Sequence, residues 1–224
     1  MPGSTAVRVT LPSGTPAELA TPAGTPALGL ALAPDIGGLR PLFDELCARL
    51  SAEHGWAVCA PEPFPGHESM PVPERLGAVG KLSDERVVGD LVAAADRTGA
   101  ARTAVVGFCM GGMYALKAAG TGRFDRAVSF YGMIRVPQDW RGAGHAEPLD
   151  ALRGPDACPV LALIGGRDQW TPPQDVAALE QVPHVSVVRY PDAEHGFAHD
   201  PTRPAHRADD AADAWRRAIE FLGG

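Results

Sequence analysis

Only four cysteines occur in 224 residues, Cys47, Cys59, Cys109 and Cys158, and none lies close to another. That scatter argues against a disulfide framework and fits a chain kept in a reducing cytoplasm. There is no C-x-x-C and no H-E-x-x-H spacing, so neither a metal site nor a bound cofactor is expected. No apolar run reaches the ~18 residues that a membrane-spanning helix needs. The first residues lack a basic stretch followed by an apolar one, so no secretory leader and no membrane partner are expected. Positive charge is scarce: 20 Lys and Arg stand against 27 Asp and Glu, a net charge of -7. A nucleic-acid partner is therefore not expected.

What is present is an ordinary globular interior, with 45% hydrophobic residues. A chain of this length reads as one domain over residues 1–224. Apolar runs at 28–33, 56–60, 103–106, 127–131, 159–164 and 185–190 read as strands. Between them lie helical patterns. Leu39, Leu42, Phe43, Leu46 and Leu50 share one face, and Val87, Val88, Leu91, Val92 and Ala95 share another behind a Ser83 cap. Thr171, Pro172 and Gln174 have capping-box spacing, and a last helix over about 205–222 carries Ala211, Trp215, Ala218, Ile219 and Leu222 inward. Strand, helix, strand in alternation predicts an α/β fold with a mostly parallel central sheet and helices on both faces. Residues 1–26 read as either an edge hairpin or a loose arm, the short alternation of Val7, Val9 and Leu11 favouring the hairpin. The proline-rich segment 61–82 and the polar segment 135–156 read as long connections.

One stretch organises the rest. Thr103–Val106 runs into Gly107-Phe108-Cys109-Met110-Gly111-Gly112, and a helical pattern follows from Met113. This is the strand, sharp turn and helix of a nucleophile elbow, with cysteine where G-x-S-x-G has serine. The glycines let strand and helix approach, and the helix N-terminus favours a thiolate. A lone G-x-C-x-G is equally compatible with a buried packing cysteine. The other post-strand residues tip the balance: Asp35, Asp168 and His195 each follow a strand, so they should share one rim of the sheet with Cys109. Nucleophile, acid, histidine is the chain order of α/β-hydrolases.

The chain resembles the dienelactone hydrolase family of α/β-hydrolases. The resemblance rests on Gly107-Phe108-Cys109-Met110-Gly111-Gly112, on Gly165-Gly166-Arg167-Asp168 with Thr171-Pro172, and on His195-Gly196-Phe197. Ala33-Pro34-Asp35-Ile36-Gly37-Gly38, Gly89-Asp90-Leu91 and Arg203-Pro204 add to it. It implies the α/β-hydrolase fold and a Cys109–His195–Asp168 triad acting on a small-molecule ester or lactone. The backbone N–H groups of Ile36 and Met110 would form the oxyanion hole. It also implies that Asp35, where the family usually has glutamate, contacts the resting thiol. Family members that cleave dienelactone hold its carboxylate with two arginines; the matching places here fall on His199 and, as a candidate, Arg75. Tyr131, Trp170 and Phe197, together with Phe64, Met70 and Trp140, are candidate pocket walls by position after strands. A thioesterase or peptidase, or a non-catalytic binding protein on the same fold, are the alternatives.

Overall fold

A computed structural model describes residues 5–224. Eight strands form one sheet: β1 (Thr5–Thr10), β2 (Pro16–Thr21), β3 (Gly29–Ala33), β4 (Ala57–Pro61), β5 (Thr103–Phe108), β6 (Arg126–Phe130), β7 (Val160–Gly165) and β8 (Val185–Tyr190). Their order is β1-β2-β4-β3-β5-β6-β7-β8. β1 and β2 are antiparallel and all pairings from β4 to β8 are parallel. Every residue of β3, β4, β5 and β7 is buried, as strands covered on both faces must be. Residues 5–21 form the hairpin expected from their alternation, and residues 1–4 lie outside the described part.

The helices follow from the same logic. α1 (Pro41–His54) links β3 to β4 leftward across the sheet, and α3 (Asp84–Arg97) links β4 to β5 rightward. With right-handed crossovers, opposite directions put the two helices on opposite faces. α4 (Met110–Ala119), α5 (Pro148–Leu152) and α6 (Pro173–Glu180) continue rightward on the α3 face. α7 (Ala208–Gly223) returns to the α1 face, where the Arg49 guanidinium lies 5.6 Å from the Trp215 ring centre. α1 stops at Gly55, whose φ of 67° is left-handed. The Ser83 cap forms as expected, its hydroxyl accepting from the Arg86 N–H at 3.3 Å.

Several local expectations need correction. α4 starts at Met110, directly after the cysteine, because the tight turn leaves no linker. Segment 61–82 contains α2 (Val72–Ala78) and a 3-10 turn at Val79–Lys81. Segment 135–156 contains a 3-10 turn at Gln138–Trp140 and α5. These pieces are too short to show helical periodicity. The capping box at Thr171 does not form: Pro172 is the capping residue, and the buried Thr171 hydroxyl has no partner among the described residues.

The direction of connection reverses at β3, so a crevice opens between the carboxyl ends of β3 and β5. The loop after β3 and the turn after β5 are its two walls.

Candidate active site

Cys109 has φ 57° and ψ -120°, and apart from Tyr131 it is the only non-glycine residue with positive φ among the described residues. Such conformations cost about 1–3 kcal/mol and persist where the surroundings enforce them. Here the enforcement is close packing. A Cβ on Gly107 would lie 2.0 Å from the Gly111 carbonyl oxygen, and one on Gly111 would lie 2.1 Å from the Ala33 oxygen. Only glycine lets strand, turn and helix meet this tightly, and the first turn of α4 thereby touches the chain leaving β3. Cys109 lies at the apex, 9% exposed.

Asp168 and His195 come from the loops after β7 and β8. His195 Nδ1 lies 2.8 Å from Asp168 Oδ2, and Asp168 Oδ1 accepts the Trp170 N–H at 2.8 Å. The carboxylate is thus anchored from behind and holds one ring nitrogen. The other, Nε2, is buried and has no hydrogen bond of normal geometry among the described residues. Burial pulls the His195 pKa down. Charge on Cys109 and hydrogen bonding to Asp168 and the Cys109 sulfur outweigh that, and the pKa is pushed up to about 10. Protonated His195 therefore stabilises the fold. Its contribution is complete below about 6.5 and is lost as pH rises through about 10. The N–H groups of Ile36 and Met110 have no hydrogen-bond partner among the described residues. An open depression of about 530 Å³ lies beside His195, bordered by Trp170, Glu194 and Arg203.

A family model, the dienelactone hydrolase family, matches residues 15–224. A carboxymethylenebutenolidase from Rhodococcus opacus is 32% identical over 214 residues, covering 86% of this chain and 79% of that protein. An Escherichia coli K12 protein provisionally assigned the same activity is 31% identical over 204 residues, covering 84% of this chain and 73% of its own. A crystal structure from Klebsiella pneumoniae, provisionally assigned as a dienelactone hydrolase, superposes with a TM-score of 0.83 at 26% identity, covering 98% of both chains. The chain belongs to the dienelactone hydrolase family. It has the α/β-hydrolase fold and is an ester or lactone hydrolase of that family. No helix of the described residues is long and apolar enough to cross a membrane.

The other candidate residues have different surroundings from those that the family resemblance implied. Asp35 makes its side-chain bonds away from the thiol. Its oxygens take Arg40 at 2.6 and 2.9 Å, the Gly37 N–H at 2.8 Å and His199 Nε2 at 2.8 Å. Burial pushes its pKa up, but His199 and Arg40 win and hold it well below the ordinary carboxylate range. The His199 side chain is fully buried and bonded at both nitrogens, so it does not face a ligand. Arg75 is 1% exposed. Its five N–H groups are directed to Glu62 and to the carbonyls of Met70, His67, Glu68 and, at 3.5 Å, Ile36. A guanidinium so saturated has no donor left for a substrate. Phe197 is wholly buried, its ring packed on Tyr131 and Tyr190. Trp170 is half-buried, stacked on Trp140 at 5.6 Å, and does border the depression.

Two residues escaped the sequence reading. Glu62 is fully buried and follows β4. The same post-strand signal that marked Asp35 and Asp168 could have found it between its two prolines. Arg203 borders the depression beside His195, with no carboxylate partner among the described residues. It belongs to the Arg203-Pro204 pair of the family resemblance, but its spacing from His195 gave no hint of a site role.

Proposed function

We propose that this chain cleaves a carboxylic ester or lactone by covalent catalysis, with Cys109 as nucleophile, His195 as base and acid, and Asp168 as the group that orients His195. The observation that carries the reading is the 2.8 Å His195–Asp168 bond beside a cysteine strained onto a nucleophile elbow. The sulfur attacks the carbonyl carbon as thiolate, its proton residing on His195. The tetrahedral oxyanion is met by the free N–H groups of Met110 and Ile36, each such donor being worth ~3 kcal/mol of transition-state stabilisation. His195 then protonates the leaving oxygen, a thioester remains, and water activated by His195 releases the acid. A carboxylate on the substrate would meet Arg203, which borders the depression beside His195; the other arginine there, Arg167, is paired with Asp192. A reducing cytoplasmic setting suits a chemistry that needs a free thiol.

Thiol alkylation tests this reading. Burial raises the other three cysteines: Cys158 to about 11, Cys59 to about 12 and Cys47 well above the usual thiol range. Iodoacetamide near neutral pH should therefore modify Cys109 alone, on peptide mapping, and abolish p-nitrophenyl acetate hydrolysis in step. Hydrolysis that survives full modification would remove Cys109 from the mechanism, and an inert Cys109 thiol with no hydrolysis at all would favour a non-catalytic binding protein.

A further inference from the structure

We propose that Tyr131, held by a hydrogen-bonded chain through His199 to Asp35, is a positioning residue that fixes the aim of His195. The proposal deepens the triad reading and rests on it.

Tyr131 follows β6 with φ 41°, a left-handed conformation rare for an aromatic residue. Its strand pairs with the strand that carries the elbow, Phe108 opposite Phe130. The two strained residues, Cys109 and Tyr131, thus sit side by side at the ends of adjacent strands. Gly132 is wedged against the elbow helix, where a Cβ on Gly112 would lie 2.7 Å from the Gly132 Cα. The bend turns the Tyr131 side chain inward. Its ring meets the His195 ring edge-on, with centroids 5.2 Å apart and planes at 67°.

The phenol is not left free. Tyr131 Oη lies 2.5 Å from His199 Nδ1, and His199 Nε2 lies 2.8 Å from Asp35 Oδ2. Asp35 in turn is gripped by Arg40. The Asp35 carboxylate can only accept, so His199 Nε2 carries the hydrogen and donates it. In the neutral ring that burial favours, Nδ1 then accepts the phenol hydrogen. His199 itself stacks on Phe108 at 5.1 Å and on Phe43 at 5.8 Å. The chain therefore runs from the end of β6 to the end of β3, beneath the end of β5 that bears the nucleophile.

The triad geometry explains why this matters. Asp168 holds His195 at one nitrogen, and a ring held at one point can still swing about that bond. Trp170 flanks it more loosely, at 6.3 Å. Tyr131 supplies the buried stop, and the bond to His199 keeps that stop in place.

The test uses Tyr131→Phe, which removes one oxygen atom, His199→Gln, and the double variant, each assayed with p-nitrophenyl acetate. Each single variant should lose about tenfold in kcat with KM within twofold of the parent. Alkylation of Cys109 by iodoacetamide should slow in parallel. Because both residues act through one bond, the double variant should lose no more than the worse single variant. A Tyr131→Phe enzyme with kcat within twofold of the parent would overturn the proposal, even if His199→Gln failed to fold. Losses that multiply in the double variant would overturn it as well. If the parent itself hydrolyses the ester independently of Cys109, the triad reading fails first, and the two failures are told apart.

Discussion

Cys109→Ala is expected to lower kcat/KM for p-nitrophenyl acetate by on the order of 10⁴ or more, with the fold intact. The substitution removes one sulfur atom at a nearly buried apex and leaves the turn, the glycine contacts and the oxyanion donors in place. What remains is hydrolysis by bound water, aided by those donors alone. A second readout belongs to the same experiment. Charge on Cys109 is the largest influence raising the His195 pKa to about 10, against the pull of burial. Without the sulfur, NMR titration should find His195 at a lower pKa. Cys109→Ser should retain weak activity, since a hydroxyl needs stronger help from its base than a thiol does. Acid-quenched parent enzyme should carry the acyl mass on the Cys109 peptide, as a thioester intermediate requires. Alanine at this position with more than about a tenth of the parent rate would remove Cys109 from the mechanism.

The residues of this proposed triad are legible in the sequence because each belongs to a short local pattern with a physical cause. Apolar runs of five or six residues mark strands buried on both faces, and whatever follows such a strand lands on one rim. That reasoning brings out Asp35, Cys109, Asp168 and His195, and the His195–Asp168 bond is of the kind their chain order implies. The partners of a polar side chain are a different matter. Asp35 and His199 are 164 positions apart and meet through packing that no local pattern encodes. Arg75 reads as a candidate substrate cation, and Glu62, the acid 13 positions away that it actually meets, reads only as part of a proline-rich loop. Aromatic residues after strands are equally ambiguous: Trp170 reaches the depression, whereas Phe197 and Tyr131 turn into the core. Helices shorter than about two turns, such as α2 and α5, carry too few residues to show a period.

The Glu62–Arg75 pair yields the largest stability effect expected in the molecule. Both side chains are almost completely buried and lie 3.1 Å apart. Glu62 accepts the N–H groups of Leu39 at 2.8 Å and Phe64 at 2.9 Å, while Arg75 closes the carbonyls of segment 67–70. Gly38, at φ 67°, fits only because it has no side chain; a Cβ there would lie 2.4 Å from Arg75 Nη1 and 2.6 Å from Glu62 Oε1. Arg75→Met leaves a carboxylate buried without its counter-charge, which costs about 3–5 kcal/mol. That is a fifth or more of a stability of about 5–15 kcal/mol and corresponds to a Tm drop of roughly 6–20 °C. Glu62→Gln combined with Arg75→Met removes the stranded charge and keeps an amide oxygen for one of the two N–H groups. The carbonyls of the exposed His67 and Glu68 can turn to water. The double variant should therefore be more stable than Arg75→Met alone, although it carries one more substitution. Urea unfolding of the three proteins measures this directly, and a double variant less stable than Arg75→Met would contradict it. The pair grips the loop that carries Ile36, so its loosening should reach the oxyanion site as a fall in kcat at temperatures where the variants remain folded.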